Sequence, residues 1–220
     1  MTNIAIIAGA GKGARIGNKE KSFLLLNNKP LLSYSLETFD KCDFIDQVIV
    51  VVGKDRIEQA NNLIKKHGFD KDYNVVEGGN TRQESVYNAI KTISAADYVL
   101  VHDAARPLIS FDLVKKVFEA AKEYKAVIPA IPASDTMKLG ALFVISTLNR
   151  DLVWQVQTPQ GFEYSLLKRA YEFAESNGFL GQDDSSLVER MDYEVKIIIG
   201  NYKNMKITYP LDLMVAEKLI

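Results

Sequence analysis

Apolar residues cluster in short unbroken runs along this chain, and between those runs they recur at helical spacing. Val48-Ile49-Val50-Val51-Val52 is apolar at consecutive positions, which fits a strand covered on both faces. Comparable β-branched runs predict strands at 3–8, 47–52, 73–76, 98–102, 126–131 and 195–199. Helical stripes fill the intervals. Ile57, Ala60, Leu63 and Ile64 share a face, with His67-Gly68 as a stop signal. Val86, Ala89, Ile90 and Ile93 form a second stripe, and Val114, Val117, Phe118 and Ala121 a third. Leu166, Leu167, Ala170, Tyr171 and Ala174 form a fourth, closed by Asn177-Gly178. Pro210 suits the first turn of a last helix carrying Leu211, Met214, Val215 and Leu219.

Strands alternating with helices predict an α/β fold: a Rossmann-like, mainly parallel sheet with right-handed crossovers, flanked by helices. One stretch departs from the alternation. Residues 131–154 carry no helical stripe. Two extended arms, 135–138 and 144–147, around the turn-prone Leu139-Gly140 predict a protruding β-ribbon. No repeat or linker divides the chain, so residues 1–220 are expected to form one domain.

Composition narrows the function. Of 220 residues, 47% are apolar and 25% charged, which permits a sizeable core and argues against wholesale disorder. Lys+Arg is 27 and Asp+Glu is 28, a balance that speaks against a nucleic-acid partner held by bulk charge. An anionic ligand must be met by locally placed cations. Cys42 is the single cysteine, which excludes an intrachain disulfide and a cysteine-rich zinc site. No apolar run approaches the roughly 18 residues that span a bilayer. The apolar start at 4–8 lacks a preceding basic region. A cytoplasmic protein without a membrane partner is expected.

The first strand runs into Gly9-Ala10-Gly11-Lys12-Gly13-Ala14-Arg15-Ile16-Gly17. Glycines let backbone N–H groups turn toward an anion and allow its close approach. Gly9-x-Gly11-x-x-Ala14 matches a dinucleotide fingerprint. That fold expects an acidic residue about 20 positions later, at the end of the second strand, and here the second strand ends near Val52. A Walker A reading fails because no Gly-Lys-Ser/Thr follows. Arg15 and Lys21 set this loop apart from both: together they could surround a triphosphate. Taken alone, the same two residues also read as solvated surface charges.

Further motifs carry a resemblance. Lys21-Ser22-Phe23, Gly78-Gly79-Asn80-Thr81-Arg82-Gln83-Glu84-Ser85 and Val101-His102-Asp103-Ala104-Ala105-Arg106-Pro107 follow the loop. Asp135-Thr136-Met137-Lys138, Thr147-Leu148-Asn149-Arg150 and Gln157-Thr158-Pro159-Gln160-Gly161-Phe162 come next. Asp183-Asp184, Asn204-Met205-Lys206-Ile207-Thr208 and Asp212-Leu213 complete the series. In this order, over nearly the whole chain, they resemble the CTP-dependent cytidylyltransferases, most closely those acting on 2-C-methyl-D-erythritol 4-phosphate. Gly9, Ile16, Ser22 and Asp192 depart from the family pattern, which has Ala, Met, Gln and Gly there. None of these departures removes a charged residue that the chemistry needs.

The resemblance implies that a polyol phosphate oxygen attacks the α-phosphorus of CTP and pyrophosphate leaves, in isoprenoid precursor synthesis. It implies Arg15, Lys21, Arg150 and Lys206 as catalytic cations. Ala8, Gly9, Ala10, Gly11, Lys12, Gly13 and Ala104 would hold the nucleotide. Gly79, Asn80 and Ser85 would read cytosine, with Arg82 bracing their loop. Asp103, Arg106, Thr136 and Thr158 would meet the acceptor, with Lys206 and Arg150 on its phosphate. Asp103 is also the candidate contact for a Mg²⁺ cofactor. His102 would orient the loop. The substrate supplies the attacking oxygen, so Cys42 reads as a small apolar residue. Trp154 and Phe162 read as packing anchors. The resemblance further implies a homodimer whose ribbon carries Thr136 and Arg150 into the neighbour's acceptor pocket. Two rivals remain at this point: a ribitol 5-phosphate cytidylyltransferase, and a catalytically silent nucleotide-binding protein on the same fold.

Overall fold

A computed structural model describes residues 1–11 and 21–220. The first strand, β1 (Asn3–Ala8), leads past a short hairpin, β2 (Leu25–Leu26) and β3 (Lys29–Pro30), into α1 (Leu31–Asp40). Then come β4 (Gln47–Val52), α2 (Ile57–His67), β5 (Asp72–Glu77), α3 (Arg82–Thr92) and β6 (Tyr98–Asp103). Gly68 ends α2 in the left-handed conformation, φ 61°, where a side chain would be strained. Thr81 caps α3 by accepting from the Glu84 N–H.

The second half opens with α4 (Phe111–Tyr124), capped by Ser110, and β7 (Ala126–Pro132). The ribbon follows as β8 (Lys138–Gly140) and β9 (Val144–Thr147). Next are β10 (Trp154–Val156), β11 (Gln160–Glu163), α5 (Tyr164–Ser176), α6 (Asp184–Glu189), β12 (Lys196–Ile199) and α7 (Pro210–Glu217).

In the main sheet, β6, β1, β4 and β5 are neighbours in that order and parallel. β11 pairs antiparallel with β6 on one edge and with β7 on the other. β10 and β11 pair with successive stretches of β7, at Val156↔Ala130 and Gly161↔Val127. The same two β7 residues pair in parallel with Ile199 and Lys196, so β12 must occupy the opposite side of β7. Among the described strands of this sheet, β10 and β11 run against the others, so the expected mainly parallel sheet holds.

Alternation along β1 shows why its run is unbroken. Ile4 and Ile6 join the core under α3, α5 and α6. Ala5 and Ile7 join the core under α1 and α4. Both faces are buried, which is the arrangement an all-apolar strand requires.

Three expectations need correction. The first ribbon arm is shifted: its strand starts at Lys138, and Leu139-Gly140 lies inside it, with the turn at 141–143. Gly140 serves close approach rather than turning, since a Cβ there would lie 2.4 Å from the Phe143 carbonyl oxygen. The last helix stops at Glu217, so Leu219 lies beyond it. Strands β10 and β11, each antiparallel to β7, and the helices α1 and α6 were not anticipated.

Candidate active site

Three strand ends deliver the site. The Gly9 N–H donates to the Val51 carbonyl at 2.7 Å, and the Gly78 N–H to that of Val52 at 2.8 Å. The Ala104 N–H donates to the Ala8 carbonyl at 3.0 Å. Each segment thus leaves the sheet at the carboxyl end of its parallel strand, where open α/β sheets bind ligands. The resulting cleft encloses about 400 Å³. Ala8, Gly9, Ala10 and Gly11 line it beside Lys21 and Ser22. Gly79, Asn80, Arg82 and Ser85 form another wall, and Asp103, Ala104 and Lys206 another. Lys12, Gly13 and Arg15 lie outside the described residues.

Asp103 organises the charge. Its carboxylate accepts from Arg82 Nε on Oδ1 at 3.0 Å and from Lys206 Nζ on Oδ2 at 2.6 Å. Arg106 Nε lies 3.9 Å from Oδ2. Burial alone would raise the Asp103 pKa, but Arg82, Lys206 and Arg106 outweigh it and hold the carboxyl well below the usual range. Arg82 is itself clamped: Nη1 and Nη2 reach the two Asp184 oxygens at 3.0 and 2.7 Å. Tyr171 donates to the same carboxylate. Asp184 is fully buried at the start of α6. Burial opposes the Arg82 charge, yet Asp184 and Asp103 raise its pKa well above normal. Sequence reasoning gave Asp184 no role. Its signal was an acidic pair at a helix start, but its partner lies 102 positions away.

Arg106 is a brace. It is 8% exposed, and its guanidinium donates to the Asn204 carbonyl at 2.7 Å and the Val156 carbonyl at 3.1 Å. The Ile207 N–H donates to the Ala105 carbonyl at 2.7 Å. These bonds carry Lys206 to the end of β6. Lys21 Nζ donates to the Ile207 carbonyl at 3.1 Å, so Lys21 reaches from another element to the segment that carries Lys206.

Thr158 does not present its hydroxyl to the cleft as expected. Its Oγ accepts from the Asp103 N–H at 3.0 Å and lies 3.0 Å from His102 Nδ1. His102 Nε2 faces the Arg106 carbonyl at 3.3 Å. A carbonyl can only accept, so Nε2 carries the proton and Nδ1 accepts from Thr158. Both side chains are buried; they hold the loop after β6 rather than substrate, the part foreseen for His102.

The His102 arrangement predicts a pH response. Burial lowers its pKa to about 4, whereas an unfolded chain would titrate near 6.5. Between those values the unfolded chain binds a proton that the folded chain does not. Stability should therefore fall as pH drops from about 6.5 to about 4, by roughly 3 kcal/mol, and level off below for this group. Urea denaturation of the wild type and His102→Asn across that window checks it. An equal slope in both proteins would assign the loss to other groups.

The remaining expectations divide. Gly79 and Asn80 line the cleft, but their N–H groups are occupied, donating to Ser85 Oγ at 3.0 Å and Glu84 Oε2 at 2.8 Å. Thr136 and Arg150 are exposed at the two ends of the ribbon, before β8 and after β9, and are not among the cleft-lining residues. The Arg150 guanidinium donates to the Ser134 carbonyl at 3.2 Å. Burial pushes the Cys42 thiol up to about 12, which fits a packing residue. Phe162 is fully buried and Trp154 partly so.

Among the described residues no group of three or more metal-ligating side chains assembles. Asp103 is the acidic residue lining the cleft. Each of its oxygens already accepts from a cation, and a carboxylate oxygen keeps a second lone pair. This donor set fits a metal that arrives on phosphates and retains its waters.

Comparison with known proteins places this geometry. Residues 3–220 match the family model for 2-C-methyl-D-erythritol 4-phosphate cytidylyltransferase. A curated protein of that name from Bacillus cytotoxicus is 41% identical over 217 residues, 98% of this chain and 96% of the relative. Another, from Caldanaerobacter subterraneus subsp. tengcongensis, is 40% identical over 222 residues, 99% and 98% of the two chains. The Francisella tularensis 2-C-methyl-D-erythritol 4-phosphate cytidylyltransferase structure is 33% identical, with a TM-score of 0.86 and 100% of both chains covered. With the motif series, the fold and the cleft all in agreement, the chain belongs to the 2-C-methyl-D-erythritol 4-phosphate cytidylyltransferase family.

Proposed function

We propose a division of labour within this cleft for the family's reaction. The chain transfers a cytidylyl group from CTP to 2-C-methyl-D-erythritol 4-phosphate in the non-mevalonate isoprenoid route. The observation that carries our assignment is the set of cations gathered on one buried carboxylate, Asp103, with Lys21 in the same cleft. Two anions must meet there, and charge develops on the oxygens around phosphorus. Preorganised cations stabilise that charge without reorganising at the moment of reaction.

In our assignment Lys21, with Arg15, takes the triphosphate. The loop Ala8, Gly9, Ala10, Gly11, Lys12 and Gly13 cradles it, with Ala104 beneath. The Gly79 and Asn80 N–H groups are occupied, so in our assignment backbone carbonyls of that wall, with the Asn80 side chain beside them, face the base. Acceptors suit the amino group of cytosine and oppose the carbonyl of uracil. Lys206 takes the acceptor phosphate, and Asp103 orients it. Arg82 and Arg106 hold Asp103 and Lys206 in place. The acceptor phosphate oxygen attacks, its proton largely lost near neutral pH, so no side chain need act as base. Mg²⁺ is the metal we assign, and Asp103 would help hold it together with the phosphates. When bound it would neutralise charge on the triphosphate.

We further propose a homodimer in the cytoplasm, with Thr136 and Arg150 of each ribbon serving the neighbouring cleft. No described helix is long and apolar enough to cross a membrane. Pyrophosphate release tests the reading. Turnover is expected with CTP and 2-C-methyl-D-erythritol 4-phosphate, and at least about 10-fold less with UTP, by the loss of one base contact. Chelation of Mg²⁺ should abolish it. Equal rates with UTP would remove the base-reading assignment, and faster turnover of ribitol 5-phosphate the acceptor assignment.

A further inference from the structure

Two of the departures, Gly9 and Ser22, line the cleft and touch each other. Ser22 is 1% exposed, in the single turn Lys21–Phe23, and its hydroxyl donates to the Gly9 carbonyl at the end of β1. Gly9 is also tied to the carboxyl end of β4 through its N–H to Val51. A Cβ on Gly9 would lie 2.9 Å from Ser22 Oγ, 3.3 Å from Ser22 Cβ and 3.0 Å from the Val51 carbonyl oxygen. The Ser22 side chain thus fills the space that an alanine at position 9 would need. The bond fixes the root of Lys21 to the floor of the glycine loop, while the Lys21 ammonium reaches the Ile207 carbonyl 3.1 Å away.

We propose that Gly9 and Ser22 form a coupled latch, with Ser22 a positioning residue that sets Lys21 against the bound triphosphate. A long, flexible lysine stem points its charge well only if its root is fixed, and small misplacements of a reacting-site group cost much in rate. The latch also explains the pairing of these residue types. The hydroxyl needs a carbonyl with no side chain above it, and glycine supplies that.

The latch rests on Lys21 being the cleft cation, so the test includes Lys21→Ala. Steady-state rates of CTP-dependent pyrophosphate release are measured for Ser22→Ala in the wild-type and Lys21→Ala backgrounds. Ser22→Ala should lower kcat about 10-fold, with the CTP KM within about 2-fold, because it disturbs an interaction made in the transition state. In the Lys21→Ala background the same change should cost less than about 2-fold. Gly9→Ala reads the contact from its other side. It should cost at least about 3-fold less in the Ser22→Ala background than in the wild type, since the 2.9 Å contact with the hydroxyl is gone while those with Val51 and the position-22 Cβ remain. Wild-type kcat in Lys21→Ala would remove the reading of Lys21. A low rate in Lys21→Ala, with undiminished cost of Ser22→Ala there, would overturn the latch and leave Lys21 standing. Additive costs of Gly9→Ala and Ser22→Ala would overturn the coupling. Melting temperatures of every variant separate a fold defect, which would lower stability without this pattern of coupling.

Discussion

Asp103→Asn is expected to lower kcat/KM about 10³-fold, the range for losing one member of a buried charge cluster and one preorganised group in a site. The carboxylate receives Arg82 on one oxygen and Lys206 on the other. Asparagine keeps the shape but offers one acceptor oxygen and an amide that must face a cation. One of Arg82 and Lys206 is then left repelled. Arg82 has a second anchor in Asp184, whereas the carboxylate that holds the Lys206 ammonium is Asp103. Lys206 should therefore move, and use of the acceptor should fail before CTP binding does. Calorimetric titration of CTP into Asp103→Asn, beside kinetics in the acceptor, measures both. Asp184→Asn should cost less, since Arg82 keeps its bond to Asp103. A kcat/KM within 10-fold of wild type in a folded Asp103→Asn protein would show that Lys206 is positioned by other groups.

How far the sequence revealed this arrangement depends on where each determinant lies. β1 and β4 begin and end at the expected residues because both faces are buried, so the run itself marks the strand. Asp103 was placed at a strand's carboxyl end by the same logic. β11 was missed because Gln160-Gly161-Phe162 has no β-branched run; it is a strand because β6 and β7 flank it. Gly161 packs so closely that a Cβ would lie 2.8 Å from Val117 Cγ1, a constraint that exists only after folding. Helix α1 was missed although Leu32, Leu36 and Phe39 keep helical spacing. In the cleft, residue types were readable and partners were not. Thr158 looked like a hydroxyl for substrate, and the structure turns it onto Asp103 and His102 across 55 and 56 positions. Arg82 looked like a local brace and proved to join α6 to β6. Arg15 falls outside the described residues, so its part still rests on the resemblance.

Mixing two inactive variants, Lys21→Ala and Arg150→Ala, should restore about a quarter of wild-type activity once subunits exchange. Lys21 lines the cleft of its own chain, whereas Arg150 lies just beyond the ribbon and binds the Ser134 carbonyl. The ribbon leaves Leu142 94%, Phe143 86% and Ile145 75% exposed in a single chain. Apolar side chains contiguous on one arm mark a surface that another surface covers. If a two-fold partner supplies that arm, each cleft would take Lys21 from one chain and Arg150 from the other. A heterodimer of the two variants then has one site with both defects and one with neither. Random pairing makes about half of the dimers heterodimers, and half of their sites are intact. If Arg150 instead served its own chain, every site in the mixture would keep one defect and no activity would return. Mass spectrometry under native conditions reports the heterodimer directly, so exchange and rescue are read independently. A heterodimer present at the expected fraction without recovered turnover would return Arg150 to its own chain and confine the ribbon to holding the dimer together.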